Sequence, residues 1–432
     1  MYLVRARQLL TMPPSVPTDT PVPSDAEAIQ DRDDQLVGLI EDGAIVIDET
    51  TETIQWVGPW NERPKKFRKD SLDLLETDVA MPGLIDCHTH AVFAGERSRE
   101  FMLRNAGQSY VEILEAGGGI LNSVDALRAA SLQSLTATLI PRVLHSVRQG
   151  ITTLEIKSGY GLTVDDELKS LRAIANASPE VPCELVPCFL GAHAVPREHR
   201  DHRDRYIDLV CDQMIPAVAD QQLAGYCDVF CDRGAFTADE ARRILQTGKD
   251  HGLIPRIHAD EIADIGAVQM ACDIGAASAD HLEHTGPEAI AAMADAGVVA
   301  VLMPAVNLFL GTTDHLAPAR ALLDAGCDVA LATDFNPGSA MTQDLGAILM
   351  LAATLYKLTP AETLRAVTVA AARALRRDNI GSLQAGHRAD IACFNAPHYR
   401  YLPYHFGQAH TDAVIYRGNL VYWTDSADVE ID

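Results

Sequence analysis

Between residues 84 and 332 the chain alternates short apolar runs with longer stretches whose apolar positions recur every three to four residues. The short runs lie at Leu84 to Asp86, Thr152 to Ile156, Glu184 to Leu190, Tyr226 to Cys231, Ile254 to Ile257, Ala279 to Leu282, Val298 to Met303 and Asp328 to Ala332. Their length and bounding turn residues predict strands. Between them the spacing predicts helices, among them Val124 to Gln149, closed by Gly150, and Ala238 to Asp250, closed by Gly252. Eight alternating β/α units predict an α/β fold of the TIM (β/α)8 barrel type, with a doubly wound sheet as the second arrangement. Both ends read differently. Tyr2 to Leu10, Gly43 to Ile47 and Ile54 to Val57 are strand-like, as are Gly381 to Leu383, Ala389 to Cys393 and Ala413 to Tyr416, the last followed by Gly418-Asn419 as a hairpin turn. The expected organisation is one small β domain built by both termini, residues 1–80 and 379–432, with the catalytic barrel, 81–378, inserted. Residues 13–34, rich in Pro, Asp, Ser and Thr, predict an exposed, mobile loop.

Composition narrows the classes of function. The 432 residues are 47% apolar and 22% charged, an ordinary globular balance with enough apolar surface for a large core. Sixty acidic against 35 basic side chains give a formal charge of −25. Phosphate backbones and anionic membranes are repelled by such a charge, so nucleic acid and membrane are not expected partners. No secretory leader pattern and no membrane-length apolar run is present, and the nine cysteines form no CxxC pair, which together suit the cytoplasm. Cys227 and Cys231 read as core positions of one strand rather than as ligands.

In a TIM barrel the reactive groups project from the C-terminal ends of the strands, and polar residues gather there in this sequence. Strand one runs into His88-Thr89-His90, where two imidazoles two residues apart face the same side of an extended chain. Strand five runs into His258, strand six into His281 and strand eight into Asp334. Three neutral imidazoles and one carboxylate suit a catalytic ion with room for water, so His88, His90, His258 and Asp334 are the expected ligands. Glu261, three residues after His258, is placed to shuttle a proton between water and a substrate nitrogen. His281 is placed to hydrogen-bond the nucleophile or a developing oxyanion. Lys157 follows strand two and reads as the partner of a nearby carboxylate. Binuclear barrel hydrolases similar to this chain carry a bridging lysine after strand four, where this sequence has Phe230-Cys231-Asp232, so one ion is expected.

These residues, with longer motifs around them, resemble the imidazolonepropionases of the amidohydrolase superfamily along nearly the whole chain. The motifs are Pro82-Gly83 before His88-Thr89-His90, Glu96 to Glu100, Ala116 to Ile120, Glu155 to Gly161, Leu190 to His193, His258 to Glu261, Ser278 to His281, Ala332 to Gly338 and Tyr401 to Gly407. The resemblance implies hydrolysis of 4-imidazolone-5-propanoate, a small anionic substrate, to N-formimidoyl-L-glutamate, with one Zn²⁺ or Fe³⁺ per subunit and a homodimeric assembly. It also implies that Arg97, Tyr110, Tyr160, His193, Glu261, Asn336, Gly338 and Ser339 meet the substrate. Ser339 stands where some members have threonine and keeps the hydroxyl, and the segment 13–34 is longer than the family pattern. A guanidinium can hold the propionate through two parallel hydrogen bonds. Arg97, Arg99 and Arg104 all lie in the right loop, and only the resemblance favours Arg97.

The nearest rival reaction is deamination of a cyclic amidine or aminopurine, which the same His258, Glu261, His281 and Asp334 pattern serves. It differs in releasing ammonia. A catalytically silent barrel acting as a scaffold is the rival outside enzymes, and the intact ligand set argues against it.

Overall fold

A computed structural model describes residues 1–15, 22–68, 72–108 and 118–424. Eight strands pair side by side in parallel and in chain order: Leu84–Asp86, Ile151–Lys157, Glu184–Ala192, Tyr226–Cys231, Ile257–Ala259, Ser278–His281, Val299–Leu302 and Val329–Leu331. Strands buried on both faces read as continuous apolar runs rather than alternating ones, which is why the sequence marked them clearly. The barrel closes between the first strand and the last. The Asp334 amide donates to the His88 carbonyl at 3.1 Å, and the His90 amide donates to the Phe335 carbonyl at 3.0 Å. The buried Asp86 carboxylate reinforces the seam by accepting from the Thr333 amide at 3.1 Å and hydroxyl at 2.6 Å. Gly83 precedes the first strand where a Cβ would lie 2.2 Å from Thr152 Oγ1, a separation that leaves room for hydrogen alone.

A second sheet takes strands from both ends of the chain, in the order Asn419–Trp423, Thr411–Tyr416, Ile391–Phe394, Leu74–Pro82, Tyr2–Leu10, Leu39–Asp48, Thr53–Pro59. Tyr2–Leu10 and Leu74–Pro82 are parallel, and the other pairs are antiparallel. Leu74–Pro82 leads directly into the barrel, so the two sheets share one continuous chain at Gly83.

Four local expectations are corrected. The segment 13–34 contains part of a helix, Ala26–Val37, whose first turn is capped by the Asp25 carboxylate on the Ala28 amide at 2.9 Å. This helix has no broad apolar stripe. It is fastened by polar groups, with Arg32 Nη2 2.8 Å from Glu362 Oε1 and the Thr359 hydroxyl donating to Asp33 Oδ1 at 2.7 Å. The long helix expected over Val124 to Gln149 is two helices, Ile120–Ala129 and Leu132–Val147, divided at Ser131, whose extended backbone and hydroxyl cap the second. Gly381 to Leu383 is not a strand, and the C-terminal hairpin turns on Arg417 and Gly418, both at positive φ, one residue earlier than Gly418-Asn419. All nine cysteines are free thiols, and Cys227 and Cys231 are buried in the core.

Candidate metal centre and active site

The C-terminal ends of the barrel strands form the floor of a cavity of about 530 Å³, lined in part by His90, Tyr160, His193, His258, Glu261, His281 and Asp334. His88 and His90 leave the end of strand one, His258 lies within strand five and Asp334 follows strand eight. His281, Leu282 and Asp334 take φ values of 85°, 74° and 51°, the left-handed region that non-glycine residues enter at a cost. The strained positions lie where the chain leaves the barrel, as is common where surrounding structure fixes a functional group.

Four donor atoms converge. Asp334 Oδ1 lies 3.4 Å from His88 Nε2 and 3.3 Å from His90 Nε2, and His90 Nε2 lies 3.4 Å from His258 Nε2. His88 Nε2 and Asp334 Oδ1 are shielded from solvent and have no hydrogen-bond partner among the described residues. A tetrahedral ion with bonds of about 2.0–2.1 Å has edges between ligands of about 3.3–3.4 Å. The three separations match those edges, and the donor types suit a metal ion. His281 shares this floor, with a nitrogen within 4.8 Å of donors on His88 and His258. Its Nε2 also stands 3.9 Å from Glu261 Oε2, which lines the same cavity.

Two of these imidazoles are aimed from behind. His88 Nδ1 bonds Asp280 Oδ2 at 2.6 Å and His258 Nδ1 bonds Asp228 Oδ1 at 3.1 Å, so the Nδ1 protons point away from the cavity and both Nε2 lone pairs point into it. Burial, aided by Lys157 and neighbouring imidazoles, holds the His88 and His90 rings well below their ordinary pKa, so they are neutral donors. Burial opposes charge on His281 too, but Glu261, Glu283 and Asp334 override it and lift the ring to about 9. Lys157 completes the layer beneath, 2.8 Å from both Glu155 Oε1 and Asp228 Oδ2, and Arg256 Nη2 reaches Asp280 Oδ2 at 3.0 Å. Glu155 also accepts from the Thr89 amide at 3.0 Å, fixing the loop between the two histidines of strand one.

The other expected residues stand around the cavity in different states. His193 stacks on His90, ring centres 5.0 Å apart, and donates Nδ1–H to the Gly159 carbonyl at 3.0 Å, which leaves Nε2 as an acceptor. Tyr160 is buried beside it. Asn336 lines the cavity, yet its side chain is occupied: Nδ2 donates to Asp334 Oδ2 at 2.9 Å, and Oδ1 accepts from the amides of Gly338 at 2.7 Å and Ser339 at 2.8 Å. Arg97 packs across Gly338, where a Cβ would fall 2.0 Å from Arg97 Nη1. Tyr110 lies outside the described residues.

The Amidohydrolase family pattern matches residues 79–421. The imidazolonepropionase of Geobacillus thermodenitrificans (strain NG80-2) is 43% identical over 426 residues, 98% of this chain and 97% of that protein. That of Myxococcus xanthus (strain DK1622) is 48% identical over 339 residues, 78% of this chain and 80% of that protein. The chain belongs to the amidohydrolase family and, within it, to the imidazolonepropionases. A zinc-bound atrazine chlorohydrolase from Arthrobacter aurescens TC1 shares the fold, with a TM-score of 0.67 at 20% identity, covering 98% of this chain and 95% of that one. Membership of the amidohydrolases and the convergent donors make this a metal centre.

Sequence reasoning passed over several groups that shape this imidazolonepropionase site. Asp228, Asp280, Glu155 and Arg256 are fully buried charged residues within or beside otherwise apolar strands. That incongruity was the available signal, since a charge survives burial only with a partner. Glu283, two residues past His281, was missed too. It is buried with both carboxylate oxygens unpartnered among the described residues, and burial pushes its carboxyl up to about 8.

Proposed function

We propose that this chain hydrolyses 4-imidazolone-5-propanoate to N-formimidoyl-L-glutamate, a step of histidine degradation, using one Zn²⁺ or Fe³⁺ ion per subunit. The observation that carries the reading is the 43% identity to an imidazolonepropionase across essentially both full lengths, joined to an intact set of donors on the cavity floor. His88, His90, His258 and Asp334 would hold the ion. When bound, it supplies Lewis acidity and lowers the pKa of water toward neutrality.

The remaining chemistry belongs to the protein. Glu261 lines the cavity beside His281 and is the base that takes a proton as water oxygen adds to the ring carbonyl carbon. His281, on the cavity floor, donates to the oxygen on which negative charge develops. The ring carbon–nitrogen bond then breaks, and Glu261 returns its proton to the departing nitrogen. Both ring nitrogens remain in the product and no ammonia leaves. His193 Nε2 is available to accept from a ring N–H, while Tyr160 and Arg97 wall the cavity and the Asn336–Ser339 turn orients Asp334.

Purified metal-loaded protein mixed with fresh imidazolone propionate should bleach the substrate's ultraviolet absorbance and form one equivalent of formimidoylglutamate without ammonia. Stoichiometric ammonia would establish a deaminase instead, and no turnover by the loaded protein would overturn the reading.

A further inference from the structure

Glu261 sits in a turn that the packing of side chains does little to secure. Its Oε2 stands 3.9 Å from His281 Nε2, too far for a hydrogen bond to fix its place, and the next residue, Ile262, is 41% exposed. The turn is held by its backbone instead. Strands four and five pair with Cys231 opposite Ala259, so Asp232 leaves the barrel level with Asp260 and beside the residues that follow. Asp232 is buried, and both of its carboxylate oxygens are used there. Oδ2 accepts from the Ile262 amide at 2.8 Å, and Oδ1 accepts from the Ala263 amide at 3.0 Å. Oδ1 also accepts from the Arg233 amide at 2.6 Å, which sets the orientation of the carboxylate itself.

The other side of the turn is tied to the exit of strand six. The Asp260 carbonyl accepts from the His284 amide at 2.8 Å, and Asp260 Oδ2 accepts from the Thr285 hydroxyl at 2.9 Å. Asp260 has a φ of 55°, a left-handed conformation that persists only where the surroundings enforce it. Glu261 therefore lies between two anchors, one from strand four and one from strand six. A carboxylate that grips two consecutive amides makes charge-assisted bonds, stronger than neutral ones. Closing its own turn would need only the Arg233 amide, so the bonds to Ile262 and Ala263 serve the neighbouring loop.

We propose that Asp232 is a positioning residue for proton transfer: by fixing the amides of Ile262 and Ala263 it holds the backbone of Glu261 so that the carboxylate meets the attacking water and the departing nitrogen. The proposal rests on the ring-hydrolysis reading for the role of Glu261. Asp232→Asn keeps the shape of the side chain but turns an NH2 group toward one of the amides. With zinc loaded, kcat for imidazolone propionate should fall about 10- to 100-fold, the scale set by displacing a reacting group by about 1 Å, while KM stays within about threefold and metal content is unchanged. The deciding measurement is a double-mutant cycle. In a Glu261→Gln background, where the proton carrier is already gone, adding Asp232→Asn should change kcat by less than about twofold. Amide hydrogen exchange at Ile262 and Ala263 should accelerate about tenfold or more in Asp232→Asn.

An equal fall in kcat in both backgrounds would overturn the proposal, because Asp232 would then act on the fold rather than through Glu261. So would a kcat within about twofold of the parent. Should Asp232→Asn fail to fold, Asp232→Ser, smaller and able to accept from one amide, is carried through the same cycle. A zinc-loaded parent that did not hydrolyse imidazolone propionate would overturn the ring-hydrolysis reading and leave the anchor to the exchange measurement. Unchanged exchange at Ile262 and Ala263 would then remove the anchor as well.

Discussion

Asp228→Asn tests whether the charged layer under the histidines sets the metal affinity. Asp228 is wholly buried, with one oxygen 3.1 Å from His258 Nδ1 and the other 2.8 Å from Lys157 Nζ. Although burial opposes its charge, His258 and Lys157 hold its carboxyl well below the usual range, so the native group is an anion. An anion behind Nδ1–H makes Nε2 a stronger donor, and losing such an outer partner typically weakens metal binding 10- to 100-fold, about 1.4–2.8 kcal/mol. Asparagine keeps an oxygen that can accept from Nδ1–H, so ring orientation survives and the loss reports on charge. Stability should fall as well. Breaking a buried pair usually costs about 3–5 kcal/mol, and the low end applies here because Lys157 retains Glu155 at 2.8 Å. The assay is competition for Zn²⁺ against a chromophoric chelator, with thermal unfolding of the metal-free protein in parallel. A folded Asp228→Asn protein whose Kd for zinc stayed within twofold of the parent would refute the reasoning.

Three other outcomes follow from the same geometry. Glu261→Gln should retain metal while kcat falls about 10²- to 10⁴-fold, the usual contribution of a general acid–base group; wild-type turnover would leave Glu261 without a proton role. Gly338→Ala puts a Cβ 2.0 Å from Arg97 Nη1, so the guanidinium or the turn must shift. At about 1–3 kcal/mol for overpacking, KM should rise roughly tenfold at unchanged metal content, and an unaltered KM would show that the two do not press together in solution. Arg320 and Arg32 outweigh burial at Glu362 and keep its folded pKa below the unfolded value of about 4.3. This group therefore stabilises the fold above that pH, and its contribution is lost as pH falls through the folded pKa. The difference in urea midpoint between parent and Glu362→Gln should be full at pH 6 and shrink in acid; a constant difference from pH 6 to pH 3.5 would contradict the assignment.

The barrel was legible because each of its strands is a short apolar run closed by a turn, and because period differences between strand and helix survive in a linear reading. The positions of His88, His90, His258, His281 and Asp334 at strand ends followed from that architecture alone, since a parallel barrel puts every strand's C-terminus on one face. Where propensity and polarity were the only guides, reading failed. Ala26–Val37 is a polar helix held by Asp33 and Arg32 against residues more than 300 positions away, and no local pattern encodes such a partner. Ser131 divides two helices by a single cap that an unbroken run of helix-forming residues obscured. The tertiary structure alone decided how the charges are allotted. Asp228 and Asp280 became the supports of His258 and His88, and Arg97 met Glu100. Pairing depends on distances of a few ångströms between side chains, and sequence spacing fixes those distances only within one element.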